Sequence, residues 1–385
     1  MPANDNRRIY YATHQVGLKE DGSGGGFTEV HGAQSVGIAT NFNLEQVFEL
    51  GQLSIYENIE DIPDVEVTLN KVLDGYPLMY HLATRDATTP TLAGRSGSKC
   101  IFGLAIFPDT NESATGTPPS VVQCSGMYVG SLSYTVSLDD SMTEDMTLVG
   151  NDKVWKNDPK PTNPNLPTPS FAGAFTTGID APIGVGGVNR RENLTLTYDP
   201  AEGLDVNGMV ADSDATILPP EVWGISDSGT NEKSNGQDFD AHLSNISVSA
   251  DLGRESINEL GRKAPYFRSV TFPIEVTCEI EVTSTSGDMI SAVEEGIYTT
   301  GSDPCEDGGN LANRTIRLAT CEGTRIYLGV KNKLSSVNYT GGDAGGGNVS
   351  VTYTFTTFND FTVMHSGDPN TNFTWSSRNT YLRNV

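Results

Sequence analysis

Apolar and polar residues alternate along much of the chain, and the alternation predicts strands. The clearest run is 274–283, where Ile274, Val276, Cys278, Ile280 and Val282 interleave with Glu275, Thr277, Glu279, Glu281 and Thr283. A period of two puts one set of side chains in a core and the other in water. The same rhythm returns at Val65, Val67 and Leu69, at Leu132, Tyr134, Val136 and Leu138, and at Val349, Val351, Tyr353 and Phe355. Further strands are expected near 36–40 and 244–250. One stretch has a different spacing. Leu44, Val47, Phe48 and Leu50 form a helical stripe within NLEQVFEL, with Asn43 placed to cap it and Gly51 to stop it. Gly253, Ile257, Leu260 and Gly261 predict a matching short helix later in the chain.

The two stretches belong to a longer internal repeat. Residues 36–63 slide onto 246–273 at a constant offset of 210, which sets Glu45 on Glu255, Glu49-Leu50-Gly51 on Glu259-Leu260-Gly261, Tyr56 on Tyr266 and Pro63 on Pro273. After one deletion VEVT at 65–68 meets IEVT at 274–277. A second block aligns GSLSYTVSL at 130–138 with GNVSVTYTF at 347–355, at an offset of 217. Two blocks in the same order, with the same alternation, read as a duplicated unit.

The chain is therefore expected to be mainly β: two tandem small β-barrel or sandwich domains, each carrying one short α-helix. The first is placed at 8–155 and the second at 222–370. Between them, 156–170 (KNDPKPTNPNLPTPS) should run as a stiff extended spacer, and 156–221 as a whole reads as a Pro/Gly-rich linker with a small insertion around NLTLTY at 193–198. The glycine clusters at 21–26 and 341–347 mark loop tips, 73–100 reads as a loop, and 371–385 as a C-terminal arm.

Composition narrows the function. The net charge of −25 repels phosphate backbones, since nucleic-acid affinity comes largely from Lys and Arg displacing counterions. No apolar stretch approaches the roughly 18–20 residues of a membrane helix. MPANDNRR lacks the apolar core of a signal peptide, so a soluble protein made in the cytoplasm is expected. The five cysteines (Cys100, Cys124, Cys278, Cys305, Cys321) are odd in number and widely spaced, which suits free thiols in a reduced compartment.

Reactive chemistry is absent from the pattern. His14, His31, His81, His242 and His365 are scattered without metal-ligand spacing, although His31 and His242 fall near equivalent points of the repeat. Asp139-Asp140 and Glu294-Glu295 are pairs that an acidic composition produces by chance. GSDPCEDGG at 301–309 does not follow a calcium-loop spacing. No nucleophile elbow or phosphate-binding glycine loop occurs. The expectation is no enzyme, no catalytic residue, no cofactor and no metal.

Taken together, a strand, a short helix ending in ELG, a long strand beginning P-x-VEVT and a later Ser/Thr-alternating hairpin resemble the tube domain of phage tail tube proteins. The segment 243–282 carries the resemblance most fully. It implies a structural virion protein that self-assembles into stacked rings around a DNA-conducting channel. With two units per chain, a trimeric, pseudo-hexameric ring is implied. Further implied partners are other tail proteins (sheath, baseplate or terminator), with DNA passing unbound and no membrane. The implied location is the virion tail, after synthesis in the host cytoplasm. Loops such as 73–100, 156–221 and 371–385 would join rings or face outward. The alternative is another virion β-protein (a baseplate hub, a decoration or a receptor-binding module), with Trp223 and Trp375 as weak ligand candidates. A polysaccharide-acting enzyme is the remote third.

Overall fold

A computed structural model describes residues 9, 11–22, 26–107, 118, 120–157, 187–194, 216–219, 222, 241–262, 265–284, 290, 313–341, 347–365 and 367–368. In its first half the chain forms β1 (His14–Glu20), β2 (Thr28–Glu29), β3 (Ala33–Asn41), β4 (Leu44–Phe48), β5 (Ile55–Glu60) and β6 (Asp64–Val72). Two short helices follow, α1 (Met79–Ala83) and α2 (Leu92–Ser96), then β7 (Cys100–Ile106), β8 (Ser120–Ser137), β9 (Thr143–Gly150) and β10 (Val154–Asn157). The second half forms β11 (Ala241–Asp251), β12 (Arg254–Ile257), β13 (Phe267–Val270), β14 (Glu275–Ser284), β15 (Arg317–Ala319), β16 (Arg325–Tyr327), β17 (Lys333–Thr340), β18 (Ser350–Phe358) and β19 (Thr362–Met364).

The architecture is mainly β, without a closed barrel. Eight antiparallel strands run side by side in the order β3-β6-β9-β8-β11-β14-β18-β17, so one sheet passes through both halves. The alternation explains its two faces. Val65, Val67, Leu69, Met146, Leu148, Leu132, Tyr134, Ile246, Val248, Val276, Cys278, Ile280, Val351, Tyr353 and Phe355 are buried on one side. Glu66, Thr68, Ser133, Ser249, Glu279 and Thr354 stand on the other. β8 is long enough to serve twice: its first part pairs with β7 and β10, its second with β9 and β11.

The duplication is written into the backbone. β3 and β11 each carry a bulge at the same point, between Ala33 and Ser35 and between Leu243 and Asn245. β8 and β17 share another, between Val129 and Ser131 and between Leu334 and Ser336. The rung Val36–Leu69–Met146–Leu132 in the first half corresponds to Ile246–Ile280–Tyr353–Val337 in the second. This corrects the pairing of the second sequence block. Residues 130–138 lie on β8, whose counterpart is β17, whereas 347–355 enter β18, the counterpart of β9. Likewise VEVT at 65–68 corresponds to 276–279, two residues beyond IEVT. A two-residue slip keeps every side chain on its face, so alternation could not detect it.

The helices predicted from Leu44–Leu50 and from Ile257–Leu260 are also corrected. Both segments are strands of exposed hairpins, β4–β5 and β12–β13. Asn43 and Gly253 adopt the same left-handed conformation (φ 46° and 48°), as do Gly51 and Gly261 (φ 89° and 84°). These residues turn the chain out of the sheet instead of capping a helix. The apolar stripe meets no core: Leu44, Phe48, Leu50 and Leu260 are exposed.

The two helices lie where a loop was expected, at 73–100, and they plug the core instead of facing outward. All five residues of α1 are buried. Its first turn is held by Glu144, which accepts from Met79 N (2.7 Å), Tyr80 N (3.0 Å) and the Tyr134 hydroxyl (2.9 Å). Burial nevertheless pushes this carboxyl above its usual range. Lys71, fully buried, donates to Asp74 Oδ1 (2.6 Å) and His31 O (2.5 Å). From the second half, Leu92 N bonds to Phe361 O, Arg95 pairs with Asp368, and His81 Nε2 donates to Val363 O (3.0 Å). The helices thus tie the halves together across the buried face.

His81 is held neutral in this setting, its pKa lowered to about 4 chiefly by burial, with Asp368 opposing and Arg95 adding. Burial likewise lowers His365 to about 3, with His81 and Lys71 adding. An unfolded imidazole titrates near pH ~6.5. The unfolded chain therefore takes up protons that the folded chain refuses, and stability is lost as pH falls from 6.5 toward 4. Urea-unfolding midpoints should fall across that window, and the His81→Gln/His365→Gln chain should show a shallower fall. Equal slopes would contradict the buried neutral pair.

Candidate assembly surfaces

The described residues bring no catalytic constellation together. No group of three or more His, Cys, Asp or Glu side chains among them could hold a metal. His14, His31, His81, His242 and His365 fall in separate settings, except that His81 and His365 share the buried cluster. His31 stacks on Tyr76 at 4.2 Å, while His242 is exposed. Asp139-Asp140 lie in the exposed turn joining β8 to β9. Cys100, Cys124 and Cys278 are buried and free, and Cys321 is exposed and free. Glu294-Glu295, Cys305, 301–309, Trp223, Trp375, the spacer 156–170 beyond Asn157 and the arm 371–385 lie outside the described residues, as do residues 195–198 of NLTLTY, 23–25 and 342–346.

Three surfaces stand out instead. The first is the pair of hairpin arms. Phe42, Leu44, Phe48, Leu50, Leu53, Tyr56, Leu260, Tyr266 and Phe272 are all exposed, with Leu50, Leu53 and Leu260 fully so. Apolar groups concentrated on projecting elements mark an interaction surface, because leaving them wet costs about 25 cal/mol per Å². The second arm is partly seated. Arg254 Nε donates to Val129 O (2.8 Å) with its guanidinium over the Tyr128 ring, Phe267 meets Tyr128 edge-on (5.7 Å), and Arg268 Nη2 donates to Asp64 Oδ1 (2.6 Å). Partial burial raises the Asp64 carboxyl, but hydrogen bonds from Asn43, Arg268 and Asn151 together with the Arg268 charge hold it below its ordinary value. Among the described residues the first arm, β4–β5, has no equivalent seat.

The second surface is the pair of sheet edges. Among the described residues β3 pairs only with β6, and β17 only with β18. Each leaves one row of backbone donors and acceptors without a strand partner, a template for another strand. The third is the wet face. Glu66, Asp145, Asp251, Glu275, Glu279 and Glu281 stand there among Ser, Thr and Asn, and Lys333 at the start of β17 is the one cation of these eight strands on that side. The face is dished over β6, β9, β8 and β11, where Thr68, Ser133, Asp145, Thr147 and Ser249 line a groove of about 420 Å³.

No family model matches the chain, and no curated protein matches it. Its backbone is similar to a chain in the cryo-EM structure of the anti-feeding prophage baseplate, with 9% identity, a TM-score of 0.31, and coverage of 39% of this chain and 97% of that one. It is also similar to a chain of the anti-feeding prophage cap, the tube terminating cap, with 13% identity, a TM-score of 0.29, and coverage of 41% and 98%.

Sequence reasoning missed the arms and edges. Their signal was Leu50 and Leu53 beside Gly51, apolar side chains at a turn where no core reaches. Replacing Leu50 and Leu53 with Ser should leave the melting temperature of the isolated chain within about 2 °C, since surface changes cost under about 0.5 kcal/mol. The same change should weaken self-association in sedimentation. A large loss of thermal stability would show that the tip is packed in the chain.

Proposed function

We propose that the chain is a structural virion protein that assembles with itself into the tube of a phage tail, as trimeric, pseudo-hexameric rings stacked around a DNA-conducting channel. The observation that carries this reading is the seam between the halves. β8 pairs with β11 edge to edge, and the counterparts of those same two strands, β17 and β3, have no second strand partner among the described residues, at opposite ends of the sheet. A head-to-tail contact of this kind, repeated with a constant rotation, forms a closed ring or an open helix. Two units in each chain then give six around a ring of three.

In this reading 8–155 and 222–370 are the tube modules, 156–221 is a linker and insertion reaching neighbouring parts of the tail, and 371–385 is an arm. The wet face lines the channel. Its carboxylates would repel phosphates, and with Lys333 as the one cation on that side of these strands there is little to displace counterions, so DNA passes without being held. The arms, with their apolar tips, join one ring to the next. Sheath, baseplate or terminator proteins are the partners at the ends and outside. The role needs no cofactor and no chemical step. Assembly by the edges alone, with unstacked rings, is the arrangement of a baseplate hub or similar virion part.

Electron microscopy of the purified full chain at high concentration tests the reading. The expected image is a hollow tube with three chains in each ring. Isolated rings that never stack favour the hub, and a monomer at every concentration overturns both.

A further inference from the structure

We infer that β17 of one copy docks on β3 of the next in a register already set by the seam inside the chain: Tyr339 opposite Ile38 and Val337 opposite Thr40. The inference rests on the ring reading above and specifies its lateral contact. At the internal seam Tyr134 lies opposite Val248, and Leu132 opposite Ala250. Counting along the paired strands from the shared bulges makes Tyr339 the counterpart of Tyr134, Val337 of Leu132, Ile38 of Val248 and Thr40 of Ala250.

Burial supports the correspondence. Tyr134, which has Val248 of β11 opposite it and its hydroxyl on Glu144, is 1% exposed, whereas Tyr339, at the matching place on β17, is 50% exposed. Val248 and Ile246 are buried at the seam, while Ile38 and Val36 on β3 are only half-buried. The same positions of one repeated unit are thus closed where a neighbouring strand is present and more exposed at the two ends of the sheet, among the described residues. A second copy of this chain is the occupant that presents both missing edges with the matching bulge.

The outer contact differs from the inner one in its flank. Tyr128 and Phe267, which meet at the internal seam, have Lys333 and Glu57 as counterparts. An aromatic pair inside the chain becomes an opposite-charge pair between chains. That difference favours correct end-to-end joining over exchange of the internal edges.

The test uses the full chain with Cys305 and Cys321 changed to Ser. In that background Ala39→Cys and Asn338→Cys, both at exposed positions, stand opposite each other in the inferred register, matching Ser249 and Ser133 at the seam. Directly opposed side chains lie about 4.5–5.5 Å apart at Cβ, within disulfide reach, whereas diagonal ones are at about 7–8 Å. Oxidised assemblies should run as linked chains up to three on a denaturing gel. The Ala39→Cys/Ser336→Cys pair should link about tenfold less, because it sits one diagonal away. Rings that form without the 39–338 link, or that link equally at 336, overturn the register and leave the ring reading standing. The specific link in particles that are not tubes supports the register and counts against the tube. Absence of both assembly and link overturns the two together.

Discussion

Everything distinctive about this molecule depends on one backbone ladder, the pairing of β8 with β11. It converts two copies of a unit into a single eight-strand sheet and buries Leu132, Tyr134, Val136, Ile246 and Val248 against the common core. It also uses up one edge of each half and leaves the other open. A sheet of this length with two unpaired ends is a liability in a solitary chain, because exposed edges recruit strands. In an assembling protein the same edges are the means of growth. Net hydrogen-bond contributions are modest, about 0.5–1.5 kcal/mol each, so a lateral contact of one strand pair must be completed by apolar burial. Tyr339, Val337, Ile38 and the first arm supply groups for it.

The remaining parts serve that sheet. The helices at 79–96 fill its buried face and draw β19 of the second half onto the first through Arg95, Asp368 and His81. This fixes the angle between the halves, and with it the angle that each chain would add to a ring. The buried charges pay for their desolvation through dense hydrogen bonding: Glu144 accepts three bonds, and Lys71 is met by a carboxylate and a carbonyl. The wet face needs the opposite property. Hydroxyls and carboxylates dominate there, with Lys333 the one cation of the eight strands on that side.

The class of the fold and the repeat were legible because alternation is imposed by the core itself. Wherever a strand has one buried face, as at 65–69 or 274–282, the pattern and the structure agree. Reading failed where no core selects the face. At 44–50 the apolar residues happened to fall at helical spacing; Asn43 suits a helix N-cap by its side-chain oxygen and a hairpin by its tolerance of a left-handed backbone, and Gly51 suits a helix stop and a turn alike because both are left-handed. β8 was matched to β18 instead of β17 because β17, at the edge of the sheet, carries KLSSVNYT, a weaker pattern than the buried β18. The polar network around Glu144, Lys71 and Arg95 left no trace, since isolated charges in an acidic sequence resemble surface residues. No reactive motif was read, and the candidate surfaces emerged only when positions of the two halves could be compared for burial.

The central claim is that the open edges of β3 and β17 satisfy each other when copies meet. Amide hydrogen exchange resolved to single residues, measured on the dispersed chain and on the assembled particle, addresses it most directly. The account predicts that amides of β8 and β11 are protected in both states, while those on the outer edges of β3 and β17 exchange quickly in the dispersed chain and reach comparable protection on assembly. Edges that continue to exchange quickly within the assembled particle would contradict it.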